Sequence, residues 1–248
     1  IVRTITKRGS IPATGILPPG IGGYDPECAQ YRHNPDKSRQ LLMEAGFPGG
    51  KGIPSLEIWT VSKSESIQEE LKAYQLYLEQ VGISVVPRTA DNWKHMISVI
   101  SSQVAPLFYF AWYADYPDPD NFLYPLCHSA SRTNRMNYFR PEVDHALEAA
   151  RRENNYLKRV QMYREIQKEV MNDAPMIPQH VNSFNYLLQP WVKGFEINYL
   201  GAAHIPYKKV WVDFSNSELQ EKTETQLPQI PQSETGPPAS SSNTISDH

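Results

Sequence analysis

Three carboxylates crowd one short stretch of this chain: Asp115, Asp118 and Asp120 fall within Phe108–Phe122, FYFAWYADYPDPDNF. An apolar and aromatic run precedes them and stops at Asp115, where Pro117 and Pro119 impose a turn. Such a run reads as a strand over 106–112 buried on both faces of a sheet. Acidic groups at the carboxyl end of a strand stand where open α/β sheets bind their ligands. Trp112, three residues before Asp115, adds an aromatic wall beside a negative charge, which suits an amine or ammonium better than a phosphate. The plainer alternative is that Asp115 caps the turn before Pro117 and that Trp112 ends a buried strand. The residues alone weigh the two readings evenly. Phe108 and Phe110 read as core, and Tyr113 and Tyr116 as cleft residues without assigned roles.

Other chemistry has less support. Asp118, Asp120 and Asn121 read as turn and helix capping rather than a calcium loop, because prolines stand where an alternating oxygen ligand set needs a flexible backbone. A carboxylate pair acting as acid and nucleophile requires a separation that the sequence does not set. His33, His95, His128, His145, His180, His204 and His248 form no i,i+4 pair and no HExxH, so no metal ligand is assigned. There is no GxSxG elbow and no Walker A loop, and no cofactor is expected. Cys28 and Cys127 lie in no CxxC pair; one disulfide and two unrelated thiols are both open readings.

The elements that must position the acidic turn follow from spacing. The chain has 248 residues and a formal net charge of −3, which argues against a general nucleic-acid binder. No apolar run approaches the ~18 residues of a membrane span. Ile1–Ile5 resembles the end of a helix rather than an initiating segment, so an upstream portion is expected. Residues 9–26, dense in Gly and Pro, read as an extended loop. Asn34 and Pro35 open a helix that Gly46 closes. A strand over Leu56–Val61 follows, then a helix from Ser64 or Ser66 to Val81 and a strand over Ile83–Arg88. Asp91 is expected to cap a helix over Trp93–Ser101, and 106–112 is the third strand. This α-β-α-β-α-β order favours a parallel sheet flanked by helices. Helices over Pro141–Arg152 and Asn155–Asn172 come next, the second carrying Val160, Tyr163, Ile166, Gln167 and Val170 on one side until Pro175 ends it. Met176–Leu188 reads as an extended strand or connector, before an irregular segment holding Trp191, Phe195, Tyr199 and Trp211. From 214 on, Glu, Gln, Ser, Thr and Pro dominate, and disorder is expected there.

In this order the pieces resemble the extracytoplasmic solute-binding proteins of peptide-type ABC transporters, the family of oligopeptide-, dipeptide- and nickel-binding proteins. Four stretches carry the likeness: GILPPGIGGYDP with NPDKSRQLLMEAGFPGG; IQEELKAYQLYLEQVGISV; FYFAWYADYPDPDNFLYPL; and NYFRPEVDHALEAAR with RVQMYREIQKEVMNDAPMIP and VKGFEI. They span about Ser10–Val212. The resemblance implies a two-lobed, type II periplasmic-binding-protein-like α/β fold about twice this length. Of that fold, residues 1–177 would be most of the second lobe, 178–213 a crossover strand and return to the first lobe, and 214–248 a tail. It implies capture of short peptides, no catalysis, and delivery to separate ABC permease subunits. It also implies a monomer, periplasmic or extracytoplasmic at the membrane, with lipid anchoring through the upstream portion left open. In the W-x-x-D position, Trp112 and Asp115 match, and Asp115 would hold the ligand's α-ammonium; Tyr113 and Tyr116 are further ligand-binding candidates. Oligosaccharides or metal chelates are alternative solutes on the same fold.

Overall fold

A computed structural model of the chain describes residues 9–28, 31–198, 205–213 and 215. Contacts divide the chain into two compact units, one made of Ile1–Tyr186 with Ile197–Ile205, the other of Leu187–Glu196 with Pro206–His248.

In the first unit, β1 (Ile11–Pro12) pairs antiparallel with β5 (His180–Val181). The alternating part lies between them. The Asn34 side chain accepts from Lys37 N at 3.0 Å, and α1 (Pro35–Glu44) starts where an Asn cap followed by Pro places it. Next come β2 (Leu56–Thr60), α2 (Glu65–Glu79), β3 (Val85–Thr89), α3 (Trp93–Ser101) and β4 (Leu107–Phe108). β2 is the central strand, parallel to β3 on one side and to β4 on the other. Parallel neighbours need crossover helices. The α2 crossover packs a buried Leu71, with Ile67, Tyr74 and Leu78, against Ile58 and Val85. The α3 crossover packs Met96 and Ile100 beside Ala90, Trp59 and Phe108. Each fully buried aliphatic side chain of this kind contributes about 2 kcal/mol.

Gly50 and Gly82 let the two turns of this part touch. Both have positive φ, 76° and 90°, and a Cβ on Gly50 would stand 1.9 Å from the Gly82 carbonyl oxygen. Only glycine fits there.

A separate core gathers α4 (Asp120–Cys127), α5 (Pro141–Arg152) and α6 (Tyr156–Asp173) around Leu123, Leu147, Tyr163 and Val170. α5 begins at Pro141 as expected, and α6 is capped by Asn155, whose side chain accepts from Lys158 N at 3.1 Å. Ala174 closes α6 in the left-handed conformation, φ 52°, before Pro175. The expected inner side of α6 is realised in Tyr163, Ile166, Gln167 and Val170, while Val160 is half-buried.

Four expectations are corrected. The Gly/Pro segment is no plain extended loop: it folds through turns, and Leu17 and Ile21 are buried in the helical core. There Leu17 N donates to Gln167 Oε1 at 2.7 Å. Asn92, not Asp91, caps α3 by accepting from His95 N at 3.0 Å, because the Asp91 carboxylate is engaged with His95 Nδ1. The third strand pairs only at Leu107–Phe108, followed by one further bond from Tyr109 N to Trp59 O at 2.7 Å. As an edge strand it is not buried on both faces; Leu107–Phe110, Phe108 and Phe110 included, are half-buried. Finally, no range was expected for α4, although Asp118, Asp120 and Asn121 read as turn and helix capping. Of Met176–Leu188, only His180–Val181 is strand.

Cys28 and Cys127 are both free and buried. Burial pushes the Cys127 thiol up to about 12, and burial with the Asp25 charge raises Cys28.

In the second unit, β6 (Val192–Lys193) pairs antiparallel with β7 (Trp211–Val212), and Lys209 meets Glu196 at 3.0 Å. The start of the chain, Tyr199, Phe214 and 216–248 lie outside the described residues. No described helix is long and apolar enough to cross a membrane.

Candidate functional site

A proline inside a helix organises the acidic turn. Pro125 has no N–H, so the Asn121 carbonyl, four residues earlier in α4, has no helical donor. Trp112 Nε1 donates to that carbonyl at 2.7 Å. The buried Asn121 side chain turns back and accepts from Asp115 N at 2.7 Å. One residue of α4 therefore clamps both ends of 112–115. Trp112 is half-buried and packed against the helical core, so its indole N–H is spent on structure.

Asp118 and Asp120 are spent as well. Asp118 Oδ1 accepts from Asp120 N at 2.8 Å, and its two oxygens hold Arg159 at 2.6 and 2.8 Å. Asp120 is buried, accepts from Tyr163 Oη at 2.9 Å and faces Arg151 Nε at 3.3 Å. Burial, then the Asp120 charge, pushes the Tyr163 phenol well above its ordinary value; the hydrogen bonds to Asp118 do the same for Arg159. Asp118 faces an arginine, and Asp120 an arginine and a tyrosine, rather than an open oxygen cage.

Asp115 differs. It is exposed, and its carboxylate makes no hydrogen bond or ion pair among the described residues. The turn-capping alternative would have this carboxylate accept a backbone N–H, and it accepts none. Tyr113 is 59% exposed, and its hydroxyl accepts from Asn182 Nδ2 at 3.2 Å, just past β5. Tyr116 is exposed beside it. Trp112, Tyr113, Asp115 and Tyr116 thus follow an edge strand as one clamped, half-open segment. Asn121, which holds it, reads in the sequence as turn and helix capping rather than as a calcium oxygen. Nothing in the spacing signals its positioning role, because that role depends on a carbonyl freed by Pro125.

Among the described residues the histidines show no common centre. His95 sits by Asp91, and His128 is buried between Asp144 and Glu148 at 3.9 and 3.6 Å. His204 lies outside the described residues, as does His248. Among the described residues no group of three or more His, Cys, Asp or Glu is placed to hold a metal ion.

Comparison with known proteins decides the family. Residues 1–134 match the model of the bacterial extracellular solute-binding proteins, family 5 Middle. The chain belongs to this family. It is 29% identical to the probable di/tripeptide-binding protein 5 of Pseudomonas aeruginosa over 81% of this chain and 38% of that protein. It is 30% identical to the glutathione-binding protein GsiB of Salmonella choleraesuis over 72% of this chain and 36% of that protein. The chain thus spans less than two fifths of these curated relatives. Among solved structures, HbpA2 from Haemophilus parasuis superposes with a TM-score of 0.74 at 25% identity, covering 86% of this chain and 42% of that one. The periplasmic murein tripeptide binding protein MppA, at 23% identity and a TM-score of 0.70 over 85% of this chain and 41% of that one, shares the fold. The type II periplasmic-binding architecture expected from the sequence is the architecture present, over 42% and 41% of those two structures.

Proposed function

We propose that this family member captures short peptides as the solute-binding component of an ABC transporter, with Asp115 holding the ligand's α-ammonium. The observation that carries the reading is the Asp115 carboxylate: it is exposed and has no partner among the described residues, on a backbone clamped by Asn121, while neighbouring Asp118 and Asp120 are consumed by arginines. A carboxylate held this way forms a charge-assisted hydrogen bond with an ammonium at little ordering cost. β4 lies at the sheet edge, which suits an extended peptide bonding by its main chain without regard to its sequence. Trp112, Tyr113 and Tyr116 are proposed to wall that peptide.

In this reading 1–177 belong to the second lobe, 178–213 cross to the first, and 214–248 form a tail. Lobe closure is a hinge motion, and no bond is made or broken. The protein is proposed to work outside the cytoplasm as a monomer, with permease subunits as partners. The relatives named for di- and tripeptides and for glutathione agree with a peptide ligand. A metal chelate is the second reading, favoured by 29% identity to heme-binding protein A of Haemophilus influenzae.

Calorimetric titration of the full-length protein with tri- and tetrapeptides, each with a free or an acetylated amino terminus, tests this. Binding of the free form alone, weakened roughly a hundredfold in Asp115→Asn, is expected. Equal binding of both forms removes Asp115 from the role; heme binding without peptide binding moves the protein to the second reading.

A further inference from the structure

A second site of opposite charge lies beyond the acidic turn. Between the carboxyl end of α3 and the loop after α4 there is a cavity of about 400 Å³, within the size range of small-molecule sites. Its lining includes Ser129, Ser131, Asn134 and Tyr138, and no carboxylate. Those polar groups are committed elsewhere. Ser129 donates to Asp144, Ser131 to the Pro125 carbonyl, Asn134 to the Tyr138 carbonyl and Tyr138 to Asp173. Ser101 and Asn137 also line it, and its charge comes from two guanidiniums, Arg132 and Arg135.

Neither has a carboxylate partner among the described residues, whereas six other arginines do. Arg132 is exposed at the rim. The Arg135 guanidinium lies 5.9 Å from the centroids of both Trp93 and Phe110, and its Nε is buried without a hydrogen-bond partner. Aromatic rings hold a cation in place without satisfying its N–H donors. A buried donor left unsatisfied is costly, and its natural complement is an oxyanion that accepts from the guanidinium fork.

We propose that this cavity binds a small oxyanion of two or more negative charges, a phosphate or a dicarboxylate. Arg135 grips it through its fork, and Arg132 neutralises the second charge at the mouth. Trp112, Tyr113, Asp115 and Tyr116 do not line this cavity, so the anion site stands whether or not the peptide reading holds.

The test is calorimetric titration of the full-length protein with inorganic phosphate and, separately, with succinate, at constant ionic strength against a chloride control. Saturable binding of at least one anion is expected, and which one binds identifies the source. Arg135→Gln should weaken it roughly tenfold or more, Arg132→Gln less, and Asp115→Asn not at all. Arg135→Lys keeps charge and stem but loses the fork, so weakened binding with an unchanged melting temperature separates loss of the site from loss of the fold. Failure of both anions at millimolar concentration overturns the proposal. So does undiminished binding in Arg135→Lys and Arg132→Gln.

Discussion

Asp115 and the pair Asp118 and Asp120 lie within one short turn, yet the fold treats them in opposite ways. The later two are bound in place, half-buried Asp118 by Arg159 and buried Asp120 by Arg151 and the Tyr163 hydroxyl. The earlier one is held out by a backbone bond to Asn121, with its carboxylate unclaimed. A carboxylate that stabilises a fold is unavailable to a ligand, and one that is available contributes little to the fold. Stability and binding should therefore separate along this turn.

The largest effect is expected on the spent side. Arg159→Ala leaves Asp118 in a partly buried place without its fork and should cost about 3 kcal/mol by denaturant unfolding, while Asp115→Asn should change stability by less than about 0.5 kcal/mol. Comparable losses from the two would break the contrast. Asn121→Ala joins the two regions, removing the acceptor for Asp115 N. It should cost about 2 kcal/mol and, if Asp115 binds the ligand, weaken peptide binding as well. Stability loss with unaltered peptide affinity would show that the clamp serves the fold alone. Tyr163→Phe removes one hydrogen bond to Asp120 and should cost about 1 kcal/mol with no effect on ligand.

The smallest effect concerns Asp173, an acid committed to Tyr138 and Arg140 at 2.6 and 2.7 Å. Those hydrogen bonds hold its carboxyl below the ordinary carboxylate value. Its stabilisation is thus complete at neutral pH and fades as pH falls through the depressed folded value. Asp173→Asn should narrow the difference in melting temperature between neutral pH and pH ~3, below the ordinary Asp value. An unchanged difference would mean that these bonds do not favour the charged form.

Local signals made much of this legible. Asn34 before Pro35, Asn155 before α6, and Pro141 with Glu142 and Asp144 in the first turn of α5 all act within a few residues of where they stand. The alternation through β4 was legible because period and length agree. The errors came where distance or competition decided. The aromatic run suggested a long buried strand, but β4 has a neighbour on one side only, and pairing lapses after Tyr109. Pro119 and Pro125 hid α4, although a proline before the first turn is harmless and the carbonyl freed by the inner one is taken up by Trp112. Adjacent Asp91 and Asn92 both cap well, and His95 decided between them through Asp91. Asp115 was visible as a candidate from its setting; its isolation from every cation among the described residues was not, because the arginines that pass it by come from α5 and α6.

The clasp between the Gly/Pro segment and the later part of the chain sets an order in time. Leu17 gains the amide acceptor for its N–H only from Gln167, 150 residues later, and Ile11 finds its strand partner only in Val181. Until those residues emerge during synthesis, Leu17 and Ile21 have no core to enter. Closing so long a loop is a late and slow event. A chain stalled before α6 would present that apolar segment to chaperones and proteases, whereas the sheet of β2, β3 and β4 could already be formed.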